Sequence, residues 1–196
     1  MVECTRVTTV NLGASSALAA SDPHGYEPDM DEADRLQVPL QCAPHVVAAS
    51  TAAIHGERGI ESYRLDRLWC LNLYQGEGVL RLLGRDYPFH TGCASITPPG
   101  TEYRFTFACR TVKTWIHFAP QGDSTRPIAI MQDLARPFTQ IRASLAEACV
   151  WLHGEPERAT ARIWDALWRL SEPQPVPAAA AHPVGHRPGF YRAASP

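Results

Sequence analysis

From about residue 37 to 119 the chain is a succession of short apolar runs set apart by glycine, proline and charge. Val46-Val47-Ala48-Ala49-Ser50 is the first candidate strand, and Leu68 to Tyr74 is a stronger one. Gln75-Gly76-Glu77-Gly78 reads as a turn, Val79 to Leu83 as another strand, and Gly84-Arg85-Asp86 as its end. Tyr87 to His90, Ala94 to Thr97, Tyr103 to Phe107 and Val112 to Phe118 complete the series. Thr91-Gly92 and Pro98-Pro99-Gly100 turn the chain between them. Short strands at roughly 8–12-residue spacing, with turn signals between, predict a β-sandwich or barrel. Pro99 followed by Gly100 suits the two central positions of a type II turn, where glycine tolerates positive φ.

After Pro120 the period changes. Between about Ile128 and His153 apolar residues recur at helical spacing, with Ile141, Leu145, Ala148, Trp151 and Leu152 carrying the pattern. Gly154 breaks this helix. Glu155-Pro156-Glu157 opens a second one, since proline suits a first turn and acids suit its positive end. Ile163, Trp164, Leu167, Trp168 and Leu170 give it a broad apolar face. Leu145, Trp151, Leu152, Trp164 and Trp168 are therefore candidates for a subunit interface. Packing on the chain's own β domain is the alternative use of the same residues.

The flanks differ. Residues 1–36 are rich in Ala, Ser, Asp, Glu and Pro and are expected to form a flexible arm. Val7 to Ala20 ends in small residues, but Glu3 spoils the basic start of a secretory signal, and Thr8, Thr9, Asn11, Ser15 and Ser16 dilute its apolar middle. From Ser171 the chain is Pro/Ala-rich and reads as linker and disordered tail. The predicted organisation is an arm at 1–36, a β domain at 37–120, a helical dimerisation segment at 121–170 and a tail at 171–196.

Composition narrows the partners. With 45% hydrophobic and 19% charged residues, a packed core is expected. The formal net charge of -2 supplies no basic stripe for phosphates, so the chain alone should bind nucleic acid poorly. No run approaches the ~18 apolar residues of a membrane span. The six cysteines, Cys4, Cys42, Cys70, Cys93, Cys109 and Cys149, are scattered without a C-x-x-C pair. They read as thiols in a reducing cytoplasm rather than as a disulfide framework or zinc knuckle.

One group of short motifs stands in a telling order: Leu71-Asn72-Leu73, Gly76-Glu77-Gly78, Gly84-Arg85-Asp86-Tyr87, Gly92, Pro98-Pro99-Gly100, and Trp115-Ile116-His117-Phe118-Ala119-Pro120. Together they resemble the ligand-binding domain of AraC-type transcription regulators, with His117 at the family's second aromatic position. Arg158 to Trp168 also resembles the helix that precedes the DNA-binding half in many members. The resemblance covers roughly residues 44 to 170. It implies a mainly β, cupin-like (jelly-roll) barrel followed by two α-helices.

Many cupins are metal enzymes with the pattern G-x5-H-x-H-x3,4-E-x6-G, then G-x5-P-x-G-x2-H. Gly92, Pro98 and Gly100 fit the second half, which puts Tyr103 at its histidine position. The glutamate position falls at Trp69, and the paired histidines at Tyr63 and Leu65, or Ser62 and Arg64. None of these is the expected ligand, so no metal, no cofactor and no catalysis are expected.

A small-molecule effector is expected instead. Lys113, Trp115 and His117 share one parity on a strand and hence one face. In the family the matching strand contributes to a sugar pocket with a stacking tryptophan, which makes Trp115 a pocket candidate. Tyr103 and Phe105 share a parity on the preceding strand. Arg64 or Arg67 lies where the family often has a pocket arginine. An aromatic face with hydroxyl and cationic donors suits a small polar ligand, a sugar or an organic acid.

In the family, ligand binding repositions the N-terminal arm and biases a dimer between two geometries, and helix-turn-helix motifs then read the major groove. The resemblance thus implies a sensory, homodimerising domain. The DNA-reading part needs on the order of a hundred residues, more than follow Leu170. His182-Pro183-Val184 resembles its entry, but Gly185 to Arg192 does not continue it. The expectation is a regulator truncated before its DNA-binding half. A metal-dependent cupin enzyme, and a stand-alone cupin forming mixed dimers with a full-length regulator, are the alternatives.

Overall fold

The computed structural model describes residues 34–55 and 59–172 and turns the short apolar runs into strands. In chain order they are β1 (Arg35–Pro39), β2 (Cys42–His55), β3 (Ile60–Arg64), β4 (Trp69–Gln75), β5 (Gly78–Leu82), β6 (Arg85–Phe89), β7 (Cys93–Thr97), β8 (Glu102–Phe107), β9 (Thr111–Gln121), β10 (Thr125–Ala129) and β11 (Met131–Asp133). Helices α1 (Pro137–Trp151) and α2 (Pro156–Ser171) follow. The arm expected at 1–36 and the tail expected at 171–196 lie outside the described residues except at their inner ends, where Arg35 and Leu36 belong to β1 and Ser171 closes α2.

Two antiparallel sheets face each other. One has the order β11-β7-β4-β9-β2, the other β3-β8-β5-β6. Tyr74 and Cys93 of the first sheet meet Leu80, Leu82, Phe89, Tyr103, Phe105 and Phe107 of the second in an aromatic core. The opposite face of the five-stranded sheet contributes Leu71, Leu73, Ala94, Ile96, Ile116 and Phe118 to a second core, closed by α1, α2, β1 and β10. The result is the mainly β, jelly-roll-like architecture with two following helices that the resemblance implies.

The layering explains the sequence. β4 and β7 are covered on both faces, so their runs are buried almost throughout. β8 is covered on one face only, and its burial alternates strictly. At the β4–β5 turn, a Cβ on Gly78 would lie 2.4 Å from the Thr106 carbonyl oxygen and 2.6 Å from Phe89 Cζ. Only glycine allows that close approach.

The structure corrects the sequence reading between Ile128 and Arg136. The helical period begins there on paper, but the chain is extended: β10 pairs with β1 from Thr125↔Pro39 to Ala129↔Arg35, and β11 pairs with β7. Ile128 fills the helix-side core and Ile130 the aromatic core, so the chain is crossing between two cores. Helix α1 starts only at Pro137, whose fixed φ suits a first turn. α2 begins at Pro156, as expected. Strand β3 also escaped the pattern.

Leu145 is fully buried within its own chain. Trp151, Leu152, Trp164 and Trp168 pack half-buried against the same core. Trp164 Nε1 donates a hydrogen bond to the Leu40 carbonyl at 3.1 Å. Arg158 lies 3.6 Å above the Trp151 ring, and Arg126 5.2 Å above that of Trp168. All five interface candidates thus pack on the chain's own helix-side core.

Candidate functional site

The sandwich is not filled evenly. Phe89, Phe105, Phe107, Tyr74 and Leu80 occupy one part of its interior. Beside them a cavity of about 220 Å³ remains, lined by Ala48, His55, Tyr63, Cys70, Asn72, Tyr103, Lys113, Trp115 and His117.

Strand geometry puts these residues together. Lys113, Trp115 and His117 alternate along β9 onto one face. The neighbouring β4 matches them in register: Cys70 opposes His117, Asn72 opposes Trp115, and Tyr74 opposes Lys113. β8 and β3 supply Tyr103 and Tyr63, themselves directly paired. The Trp115 and His117 rings stack with centroids 4.4 Å apart. Lys113, only 4% exposed, places Nζ 4.1 Å from the Phe105 ring centre and 5.2 Å from that of Tyr63. Cation–π attraction of this kind strengthens when desolvated.

Behind the lining runs a polar network. His55 Nδ1 lies 2.6 Å from Glu61 Oε2, and the Tyr63 hydroxyl donates to the same oxygen. Burial pushes the Glu61 carboxyl up, but hydrogen bonds from Tyr63 and His55 and the charges of His55 and Lys113 outweigh it. The carboxyl therefore ionises below its ordinary range. His117 is shifted down to about 4, first by burial and then by Lys113. On β4 and β7, Cys70 Sγ approaches Asn72 Oδ1 at 3.5 Å, and Asn72 Nδ2 donates to Ser95 Oγ at 3.4 Å. Ser95 Oγ in turn lies 2.5 Å from the Tyr74 hydroxyl. Burial holds that phenol protonated, raising its pKa well above the ordinary value.

Of the sequence candidates, Tyr103, Lys113, Trp115 and His117 line the cavity, and Phe105 lies beneath Lys113. Arg64 is not there. Its side chain is 63% exposed and its Nε pairs with Asp66 Oδ1 at 3.1 Å. The reason is parity: Tyr63 turns to the cavity, so its neighbour turns away. Arg67 is likewise exposed. Sequence reasoning did not assign His55, Glu61, Cys70 or Asn72 to the site. Asn72 and Cys70 did carry a signal, being the alternate residues to Leu71 and Leu73 in a strand buried on both faces.

Among the described residues, no three His, Cys, Asp or Glu side chains come together as a metal cluster. Tyr63 and Tyr103, at two of the positions where metal cupins carry histidine, line the cavity, while Trp69 packs on the helix-side core. The described cysteines stand as thiols. No described helix is long and apolar enough to cross a membrane.

No protein-family model and no curated protein matches the sequence. Solved structures do. The AraC-like transcriptional activator CuxR is 15% identical over 62% of this chain and 52% of its own, with a TM-score of 0.38. A protein of Photorhabdus luminescens is 13% identical over 53% of this chain and 90% of its own, at 0.35. A predicted oxalate decarboxylase from Thermotoga maritima is 10% identical over 44% of this chain and 99% of its own, at 0.31. Likenesses this distant assign no activity.

Proposed function

We propose that this chain is a ligand-sensing and dimerisation domain of the AraC-regulator kind, holding a small polar molecule, a sugar or an organic acid, between its two sheets. The observation that carries the reading is the cavity itself. It lies beside the aromatic core, it joins an aromatic stack (Trp115 on His117) to a buried cation (Lys113), and its walls belong to five strands, β2, β4 and β9 of one sheet and β3 and β8 of the other. A concave, largely apolar space with a few convergent polar groups is how proteins hold small ligands. A bound molecule would stabilise the folded chain by mass action. The test is a thermal-shift and calorimetric screen of small organic acids, pentoses and hexoses. A saturable rise in melting temperature that Trp115→Ala removes supports the reading. A folded protein that responds to no member of either class refutes it.

Dimerisation in this reading uses the outward face of the helices, because their apolar faces already pack on the chain's own sheet. Val150, 78% exposed on α1, marks that outward face. The expected outcome of sedimentation analysis is a dimer that Val150→Glu weakens at least tenfold. A monomer at every concentration would refute this part. DNA contact, in the reading, belongs to another part of the regulator.

A further inference from the structure

Most polar side chains in the cavity wall already have protein partners. His55 and Tyr63 hold Glu61 Oε2, and the Lys113 charge is engaged with the same carboxyl. Tyr103 stacks on Tyr63 with ring centroids 5.8 Å apart. Asn72 is tied to Cys70 Sγ and Ser95 Oγ. His117 differs. Its ring stacks on Trp115 with centroids 4.4 Å apart, and among the described residues its nitrogens make no hydrogen bond.

The sheet also leaves room beside this ring. His117 stands directly between Ala48 of β2 and Cys70 of β4, the two smallest residues of the lining. One step along β9, Trp115 stands between Ser50 and Asn72, and beyond it Lys113 stands between Ala53 and the bulky Tyr74. Neighbouring strands lie ~4.8 Å apart, so a ligand group can reach the imidazole over Ala48 or Cys70 without displacing a large side chain. Burial, and then the Lys113 charge, hold the ring neutral, with its pKa shifted down to about 4. A neutral imidazole carries one N–H donor and one nitrogen acceptor. A carboxylate can use only the donor and an ammonium only the acceptor, whereas a hydroxyl uses both. The stacked Trp115 face beside it suits the carbon skeleton of a small ring or chain.

Building on the sensing reading, we infer that His117 is the specificity-determining residue of the cavity, binding a ligand hydroxyl in the open row Ala48–His117–Cys70 while the ligand's carbon skeleton lies beside Trp115. The ligand class is a small hydroxylated molecule, a sugar or a hydroxy acid, recognised through that hydroxyl and not through its charge.

The experiment compares matched pairs on the full chain by calorimetry, with the His117 imidazole followed by NMR. The probes are lactate against propionate, mandelate against phenylacetate, and glucose and xylose against each of their monodeoxy forms. The expected result is that at least one hydroxylated probe binds about 2- to 10-fold more tightly than its deoxy partner, the ratio one neutral hydrogen bond supplies. His117→Phe should level that pair, and His117→Gln, whose amide also donates and accepts, should keep part of the preference. The NMR arm uses the unaltered protein, so the test stands even if His117→Phe does not fold: the hydroxylated probe should move the imidazole nitrogen signals and its deoxy partner should leave them in place. A preference among the acids alone supports the inference for a hydroxy acid, and one among the sugars alone supports it for a sugar. Equal affinities in every pair, a preference that a folded His117→Phe retains, or imidazole signals unmoved by a bound hydroxylated probe overturns the inference and leaves the sensing reading in place. Silence from every acid and sugar overturns both.

Discussion

At the scale of single residues, the cavity's chemistry rests on which neighbours share a face. Parity along β9 was enough to bring Lys113, Trp115 and His117 together from the sequence, because a regular strand alternates without exception. Parity also explains the misplacement of Arg64: the run around Tyr63 carries no alternating signal, so the register of β3 could not be read. His55 and Glu61 are joined across a gap in sequence by the β2–β3 connection, a contact no local pattern encodes. One residue-level prediction follows from His117. Its folded pKa, about 4, lies below its ordinary value of 6.5. Between those values the unfolded chain binds a proton that the folded chain refuses, so stability falls as pH drops from 6.5 towards 4. Glu61, lowered in the fold, acts in a different window: its contribution is present above its ordinary 4.5 and is lost as pH falls through the folded value. Imidazole titration by NMR should place the His117 midpoint near 4. His117→Asn should flatten the fall in melting temperature between pH 6.5 and 5 and leave the steeper acid limb intact. A His117 midpoint at its ordinary value would show the ring to be solvated.

At the scale of elements, the legible parts were those whose environment is uniform along their length. β4 is covered on both sides and reads as a continuous apolar run; α2 is covered on one side and reads as a stripe. The segment from Thr125 to Asp133 reads poorly because it serves two cores in turn, and apolar residues placed for two surfaces can imitate a helical spacing. Two predictions belong here. Gly78→Ala places a methyl group against the Thr106 carbonyl and the Phe89 ring, so β5 must move from β8 or Phe89 must leave its rotamer. The expected loss is about 1–3 kcal/mol, the usual cost of overpacking, checked by denaturant unfolding. Leu167→Ala empties a fully buried position of α2 facing the sheet. It should cost about 2–5 kcal/mol. A near-neutral Leu167→Ala would mean that α2 is not docked as described.

At the scale of the whole molecule, the sequence divides a β domain at 37–120 from a helical segment at 121–170, and the structure joins them through one core. Leu71, Leu73, Ile96, Ile116 and Phe118, all at most 1% exposed, turn away from the cavity side and towards α1, α2 and β10. The central strands β4, β7 and β9 thus have no solvent face on this side, and the helices are their cover. Burying five such side chains contributes on the order of 10 kcal/mol, at about 1.5–3 kcal/mol each. That is comparable with the whole stability of a domain, about 5–15 kcal/mol. Four of the five sit in β4 and β9, which line the cavity: Leu71 flanks Cys70 and Asn72, and Ile116 stands between Trp115 and His117. Helix docking and the shape of the cavity are therefore properties of the same two strands, seen from opposite faces. A chain ended at Leu134 should accordingly lose both together. The expected outcome is loss of cooperative thermal unfolding, strong binding of an apolar dye, and no protection by any acid or sugar that stabilises the full chain. A shortened chain that unfolds cooperatively and keeps ligand affinity would show instead that the sandwich folds without its cover, and that whatever the helices report is read from outside the cavity.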